Sequence, residues 1–273
     1  MQTIIPSLIS DFSMTVWQNY ATMGRHFSWR ETDDPYAIMV SEFMLQQTQT
    51  NRVVQKYETW LARFPDVQSV ADAPLSEVLS LWNGLGYNRR AKFLHEACRK
   101  ICQDYGGILP CDAERLDALP GIGPYTARAI VTFAFNKAEV FIETNIRSAF
   151  IDFFFSEASA VSDAEIVPLV EQTLDRERPR EWYYALMDYG AAVKHRTENP
   201  SRRSASYTKQ SQFEGSLRQA RGAILRQLSK NGSVSLVEIA ATEKIDMERL
   251  FSAAQKLSEE QLIRESNGRY SFC

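Results

Sequence analysis

The chain is organised around the glycine turn at 119–124, Leu-Pro-Gly-Ile-Gly-Pro, which lies between two segments of helical pattern. The segment 111–118 before the turn has the apolar spacing of a short helix, with Asp112 as its N-cap. A proline directly after the turn favours a helix start, since the first helical residue needs no N–H partner. Gly121 and Gly123 can adopt positive φ, and amides at a helix start attract anions such as phosphate. The pattern predicts helix, tight turn and helix, either with an anion site at the turn or as a turn without a ligand.

Overall charge does not by itself indicate a nucleic-acid partner. The 273 residues carry a net charge of −3, whereas phosphate binding normally relies on Lys and Arg. The positive charge is concentrated, because residues 194–226 hold eight basic side chains against two glutamates. That stretch is interpreted either as a solvated linker or as a DNA-facing segment.

No signal-peptide pattern and no apolar run of about 20 residues is visible in the sequence. The four cysteines show neither metal-ligand spacing nor the density of a secreted disulfide domain. We therefore expect a soluble, intracellular protein with reduced thiols.

A nearly apolar helical segment, residues 36–48, contains one carboxylate, Glu42. Burial disfavours a charged carboxylate, which is how a glutamic acid can keep a proton near neutral pH. On pattern alone, the favoured interpretation is a carboxylate that faces solvent or pairs with Arg30.

Several phrases of the sequence together resemble the helix-hairpin-helix (HhH-GPD) DNA glycosylase superfamily, which includes endonuclease III and the MutY adenine glycosylases. They are SEFMLQQTQT at 41–50, WNGLGYNRRA at 82–91, LPGIGPYT at 119–126 and ALMDYGA at 185–191. The resemblance covers residues 26–193 and implies an all-α, two-domain fold with a catalytic cleft between the domains. We expect one domain from residues 1–28 and 135–193, a helical barrel domain with the hairpin at 29–134, a basic linker at 194–212 and a winged-helix-like domain at 213–273.

The resemblance also implies the chemistry. Glu42 corresponds to the general acid that protonates a purine, and Tyr125 stands where lyase members carry a nucleophilic lysine. Glu143 replaces the usual aspartate that stabilises the positively charged sugar, and Asn145 orients it. Glutamate is longer by one methylene, about 1.5 Å, so either the backbone is set back or activity is low.

DNA contacts are implied for the hairpin turn, the segment after Glu42 and the loop at 82–90. In that loop Leu85 and Tyr87 would be wedges that fill the gap left by a flipped nucleotide, unless Tyr87 folds into the core. The base pocket would contain Trp29, Arg30 and Asp188, unless these lie at the edge of the core. The expected DNA-contacting residues are Gln46, Gln47, Thr48, Leu85, Gly86, Tyr87, Arg89, Arg90, Gly121, Ile122, Gly123, Lys194, Arg202 and Arg203.

Iron–sulfur members of the family carry four closely spaced cysteines after the helix that ends near residue 193. In this chain Lys194 stands at the first of those places, and the next cysteine is Cys273. We therefore expect no iron–sulfur cluster and no other cofactor, although a monovalent cation at the hairpin turn is compatible with the sequence.

The tail from residue 213 has a different pattern. Helical segments at 214–228, 236–241 and 247–261 precede a hairpin with an Asn-Gly turn at 267–268, an order typical of a winged helix. Its third helix is acidic, which favours a brace or a protein contact over reading of the major groove. Nothing in it resembles the Nudix-like domain with which MutY enzymes recognise 8-oxoguanine.

The expected function is that of a monomeric, monofunctional DNA glycosylase of base excision repair, which removes a base without cutting the strand. Its partner is duplex DNA with a mismatched or damaged base, and adenine in a mismatch is the family default. Hypoxanthine or another damaged base is the alternative substrate. A non-catalytic DNA-binding protein and a winged-helix transcription factor are the alternatives of another class.

Overall fold

The structure is a computed structural model that describes residues 6–196, 198–209 and 212–273. These residues are mainly helical, as predicted, with a small antiparallel sheet near the carboxyl end. None of the described helices has the length and hydropathy needed to cross a bilayer. In chain order the helices are α1 (Pro6–Met23), α2 (Pro35–Leu45), α3 (Thr50–Arg63), α4 (Val67–Asp72), α5 (Leu75–Trp82), α6 (Arg89–Tyr105), α7 (Ala113–Asp117), α8 (Pro124–Phe135), α9 (Thr144–Phe154), α10 (Asp163–Thr173), α11 (Pro179–Arg196), α12 (Leu217–Asn231), α13 (Leu236–Glu243) and α14 (Met247–Glu259).

Several helix starts are fixed by caps that the sequence displays. Asp34 accepts hydrogen bonds from the backbone N–H groups of Tyr36 and Ala37, both at 3.2 Å, at the start of α2. Asp112 accepts one from Arg115 N at 3.0 Å and caps α7, as predicted. The sequence pattern predicts helices at 53–64, 75–82 and 91–103, and the observed α3, α5 and α6 begin and end within three residues of these bounds.

The described chain divides into two compact units that differ from the predicted domains. Helix α8 packs against α7 and α11, and it lies in the same unit as α9, α10 and α11 rather than in the predicted barrel. The tail is not a separate unit, because α12 packs against α5. The first unit contains the residues up to Ile38, Cys111–Asp117 and Ile122–Lys209, and the second contains Met39–Pro110, Ala118–Gly121 and the described residues from 212 onward.

Aromatic packing dominates the core of the first unit, where α11 lies against α1 and α9. The fully buried ring of Phe12 has its centroid 4.7 Å from that of Phe150 and 4.9 Å from that of Phe154. Trp182 meets the same ring edge-on at 6.3 Å. Such pairs add to the stabilisation that burial of the rings provides, and they fix α9, which carries Glu143 at its start.

In the second unit the tail has the predicted winged-helix order. Strands β2 (Ile263–Ser266) and β3 (Arg269–Phe272) form the hairpin, and the turn residues between them, at 267 and 268, have φ values of +53° and +74°. A further strand, β1 (Ser233–Val234), pairs with β3 and gives the sheet order β1-β3-β2. This strand was not predicted, because two residues are too few to show an alternating pattern.

Candidate functional site

Glu42 lies in the most apolar helix of the chain. Every residue of α2 from Tyr36 to Met44 is buried, and Glu42 itself is 7% exposed. The interpretation based on pattern alone, a carboxylate facing solvent, is therefore contradicted. An apolar setting favours the neutral, proton-carrying form of a carboxyl group, which is the form that a general acid needs.

Glu143 is the N-cap of α9, and its carboxylate turns back onto the start of that helix. Oε1 accepts hydrogen bonds from the backbone N–H of Asn145 at 2.6 Å and of Ile146 at 2.9 Å. Oε2 accepts one from the Asn145 side-chain amide at 3.3 Å, so the predicted contact between these two residues is present. The fold-back takes up the extra methylene and places the charge at the helix end, where the shorter aspartate would also cap.

Two residues of α11, one turn apart, lie against Asn145. Lys194 Nζ donates to Asn145 Oδ1 at 2.9 Å. A Cβ on Gly190 would lie 1.9 Å from the backbone oxygen of Asn145, so only glycine allows the two helices to approach this closely. Burial lowers the pKa of Lys194, and the negative charge of Glu143 opposes that shift. Lys194 is half-buried and engaged by the protein, and its contact with DNA stays a prediction.

The predicted basic linker folds back on α9 through a short 3-10 turn, Pro200–Arg203. Arg203 Nη1 donates to the backbone oxygen of Phe155 at 2.6 Å, so this arginine braces the protein's own chain rather than extending toward DNA. Arg202 stays exposed and pairs with Glu198 at 2.9 Å. Of these two predicted DNA-contacting residues, Arg202 is exposed and Arg203 is half-buried, and their contact with DNA stays a prediction.

Trp29, Arg30 and Asp188 lie together, as predicted. Asp188 is 3% exposed and accepts hydrogen bonds from both terminal nitrogens of Arg30, each at 2.9 Å. Its two oxygens also bind the backbone N–H and the Nε of Arg25, at 2.8 and 2.7 Å. Trp29 stacks on Phe27 with centroids 4.7 Å apart. The carboxylate is thus satisfied by two arginines, of which sequence reasoning missed Arg25, and contact of this group with a base stays a prediction.

The predicted hairpin is present as α7, a glycine turn and α8. Gly121 has φ of +74°, and a Cβ there would lie 2.5 Å from that of Phe93, so conformation and packing both require glycine. Gly123, in contrast, has φ of −102°, which any residue adopts, and it serves as the N-cap of α8. Ile122 between them is buried, and Tyr125 is half-buried in the first turn of α8.

Arg90 organises the two loops of the second unit that were expected to meet DNA. Its guanidinium donates to the backbone oxygens of Phe43 and Gln46, both at 2.6 Å, and to Thr48 Oγ1 at 3.0 Å. Desolvation lowers the pKa of Arg90 to about 10. At 8% exposure it cannot hold a phosphate, contrary to the prediction. The turn that it holds includes Gln47, whose φ is +53°.

The loop before α6 displays Tyr87 but not Leu85. Leu85 is 2% exposed, so its side chain is not available as a wedge, which corrects that prediction. Tyr87 is 36% exposed, and the alternative of a tyrosine in the core is contradicted. Tyr87 and Gly86 both have positive φ, at +47° and +75°, and a tyrosine in the left-handed region carries strain that the surrounding structure must hold. The Cζ atom of Arg89 lies 4.8 Å from the ring centroid of Phe93, which belongs to the same unit.

Comparison with known proteins decides the family. A sequence model of the HhH-GPD superfamily of base excision DNA repair proteins matches residues 40–172. The adenine DNA glycosylase of Mycobacterium tuberculosis (strain ATCC 25618 / H37Rv) is 32% identical, over 98% of this chain and 94% of that protein. The chain belongs to the HhH-GPD superfamily. The alignment also extends past residue 193 into the tail, beyond the motifs that carried the resemblance in the sequence.

Further relatives agree with this membership. The adenine DNA glycosylase of Homo sapiens is 38% identical over 58% of this chain and 30% of that protein. Among solved structures, a thermostable thymine-DNA glycosylase has a TM-score of 0.60 and 26% identity, over 68% of this chain and 87% of that one. An endonuclease III–DNA covalent intermediate, at 16% identity with a TM-score of 0.58 over 68% of this chain and 85% of that one, shares the fold. The predicted class, a DNA glycosylase of base excision repair, is confirmed.

The residues present do not fit the iron–sulfur cluster of other HhH-GPD members. Lys194 occupies the place of the first ligand, and its ammonium is engaged with Asn145. Cys98 and Cys102 are one turn apart on α6, and burial raises the pKa of both thiols, which disfavours the thiolate that a cluster needs. Within the described residues, no group of three or more His, Cys, Asp or Glu side chains is placed to hold a metal ion.

Proposed function

We propose that this DNA glycosylase removes adenine from a mismatched site in duplex DNA and leaves an abasic site in an intact strand. One observation carries the proposal: Glu42 is a buried carboxyl group on an otherwise almost wholly apolar helix, a position suited to proton donation. The choice of adenine is supported by the names of the relatives, which include a protein aligned over 98% of this chain.

In the proposed reaction Glu42 gives its proton to the purine ring, which makes the base a better leaving group. The bond between base and sugar then breaks, and the pair of electrons leaves with the base. Positive charge develops on the sugar, and the Glu143 carboxylate stabilises that charge. A water molecule adds to the sugar carbon, and the proton that it releases restores the acid form of Glu42 by way of solvent, which completes hydrolysis. Asn145 and Lys194 contribute by holding Glu143 in place.

We infer that the enzyme does not cut the strand, because Tyr125 stands where a lyase has an amine. A lyase amine forms a covalent imine with the sugar, and a tyrosine hydroxyl cannot do so. We further propose that it acts without a resident metal or cluster, as a monomer in the bacterial cytoplasm. Borohydride reduction of a reaction mixture should therefore trap no protein–DNA adduct in high yield.

A panel of duplexes tests the proposal. Each duplex carries one candidate base: adenine opposite guanine, adenine opposite 8-oxoguanine, hypoxanthine opposite thymine, or thymine opposite guanine. The thymine duplex is included because a thymine-DNA glycosylase shares this fold at 26% identity. Cleavage with alkali after incubation reveals abasic sites, and Glu42→Gln, of equal size, is the matched control.

We expect alkali-dependent cleavage at adenine and none with the Glu42→Gln variant. Excision of hypoxanthine or thymine but not adenine would replace the proposed substrate. Excision of adenine by Glu42→Gln would remove Glu42 from the role of acid. Strand breaks that appear before alkali would contradict the monofunctional reaction.

A further inference from the structure

The second unit contains a positively charged cleft of about 810 Å³. Its walls come from α12 of the tail, the loop before α6 and the turn after α2, and they carry six arginines against one glutamate, Glu260. Two exposed aromatic side chains also line it, Tyr87 at 36% and Phe213 at 59%. Basic side chains bind the phosphates of DNA, and exposed aromatic rings can stack on unpaired bases.

The contribution of α12 is a row of residues one turn apart, Arg218, Gly222 and Arg226, which share a face of the helix. Arg218 Nη1 donates to the hydroxyl of Tyr87 at 3.1 Å, which joins the tail to the displayed tyrosine. Arg226 pairs with Glu243 at 2.6 Å, yet 43% of its side chain stays exposed.

Besides the contact between Arg218 and Tyr87, a hydrogen bond outside this row fixes the tail to α6. Lys92 Nζ donates to the backbone oxygen of Glu260 at 2.9 Å. Arg221 makes two hydrogen bonds with the Glu260 carboxylate, at 2.9 and 2.6 Å, and its side chain is 17% exposed. Hydrogen bonds therefore hold the wall of the cleft in place. Arg221 supports this wall, and Arg218 and Arg226 line it.

Gly222, between the two arginines on α12, gives separate evidence that this wall of the cleft leaves room for a ligand. Glycine is unfavourable in the interior of a helix, and packing explains many of the glycines found there. Here packing does not, because a Cβ at this position would meet no atom within 4 Å beyond its chain neighbours and the backbone of its own helix. The absent side chain instead leaves open space between the two arginines, at the wall of the cleft. Such space admits the close approach of a ligand to the backbone.

We propose that the tail binds the sugar–phosphate backbone of the substrate DNA through Arg218, Gly222 and Arg226. The inference rests on the proposed function, which makes duplex DNA the occupant of the cleft. The tail thus contacts DNA with its first helix, whereas the third helix of a winged helix is the usual reader. That assignment is compatible with the acidic residues of α14, and the expected role of the tail as a brace or protein contact stays a prediction.

The test uses the full chain and a duplex with unmodified base pairs, so that binding is measured apart from excision. Fluorescence anisotropy gives the Kd over a range of salt from about 50 to 200 mM. The variants are Arg218→Ala, which removes a charge, and Gly222→Gln, which fills the open space without changing charge. Arg264→Ala is the matched control, because Arg264 is an exposed arginine of the same tail outside the cleft. Circular dichroism confirms that each variant is folded.

We expect Arg218→Ala to bind about 10-fold more weakly and to lower the slope of log K against log salt by about 0.9. Gly222→Gln should also bind about 10-fold more weakly, with the slope nearly unchanged, since it blocks contact without removing a cation. Arg264→Ala should match the wild type. If Arg218→Ala and Gly222→Gln both bind like the wild type, the inference is wrong even where adenine is excised. If they bind weakly while the wild type releases no base, the cleft assignment stands and the proposed function is wrong.

Discussion

Substitution of Glu143 separates two roles of its carboxylate, the observed cap of α9 and the proposed stabilisation of positive charge on the sugar. The cap consists of the hydrogen bonds from the backbone N–H groups of Asn145 at 2.6 Å and Ile146 at 2.9 Å. Aspartate is among the best N-cap residues and reaches the same two amides, so Glu143→Asp keeps both cap and charge. Glu143→Gln keeps an oxygen acceptor without the charge, and Glu143→Ala has neither.

The magnitudes follow from these contacts. Loss of an N-cap costs about 1–2 kcal/mol, and each kcal/mol lowers the Tm by about 2–4 °C in a chain of this size class. Glu143→Ala should therefore melt about 2–8 °C below the wild type, while Glu143→Asp should melt within about 1 °C of it. Removing a preorganised group that stabilises transition-state charge costs about 100- to 1000-fold in rate. We expect that loss for Gln and Ala, and a rate within about 10-fold of the wild type for Asp.

Thermal unfolding followed by circular dichroism gives the Tm, and single-turnover excision from an adenine mismatch gives the rate. Glu143→Ala that melts early but excises at the wild-type rate would reduce Glu143 to a helix cap. Glu143→Asp that loses about 100-fold in rate would show that side-chain length matters, against the fold-back geometry.

Three further predictions concern the surroundings of Glu143. Lys194→Met keeps the length of the side chain but frees the Asn145 amide, and we expect excision to slow by about 10- to 100-fold with little change in Tm; a wild-type rate would exclude action through Asn145. Gly190→Ala places a methyl group 1.9 Å from Asn145 O and should cost about 1–3 kcal/mol in urea denaturation, which an unchanged midpoint would contradict. Hydrogen bonds from Arg147 lower the pKa of Asp163, so this pair stabilises the fold above the unfolded pKa of about 3.9 and loses that effect as the pH falls through the folded value. The Tm deficit of Arg147→Gln should therefore be present near pH 7 and shrink below about pH 4, and a deficit independent of pH would contradict the pairing.

Features that depend on neighbouring residues were predictable from the sequence. The hairpin turn, the Asp112 cap and the β-turn of the tail all rest on local glycine, proline or cap chemistry, and all are present. The division into units was not predictable, because the packing of α12 on α5 joins segments more than 130 positions apart without any local pattern.

The site shows the same limit at the level of side chains. Arg90 and Leu85 belong to a segment that resembles a DNA-contacting one, but both side chains are buried. Arg90 instead donates hydrogen bonds to the protein's own backbone. The sequence alone does not distinguish an arginine that binds phosphate from one that binds the protein's own carbonyl groups. Gly190 and Lys194 share a face of α11 at a spacing of four, yet their partner, Asn145, is too distant in sequence for that pattern to reveal it.

The most direct test of Glu42 as the proton donor compares adenine with 7-deazaadenine at the same site of the same duplex. The analogue has carbon in place of N7, the ring nitrogen that we propose as the proton acceptor, and it keeps the shape and pairing edge of adenine. Single-turnover excision is measured for the wild type and for Glu42→Gln. We predict that the wild type removes adenine but binds 7-deazaadenine without removing it, and that Glu42→Gln removes neither. Removal of 7-deazaadenine at the rate of adenine, or excision of adenine by Glu42→Gln, would contradict proton transfer from Glu42.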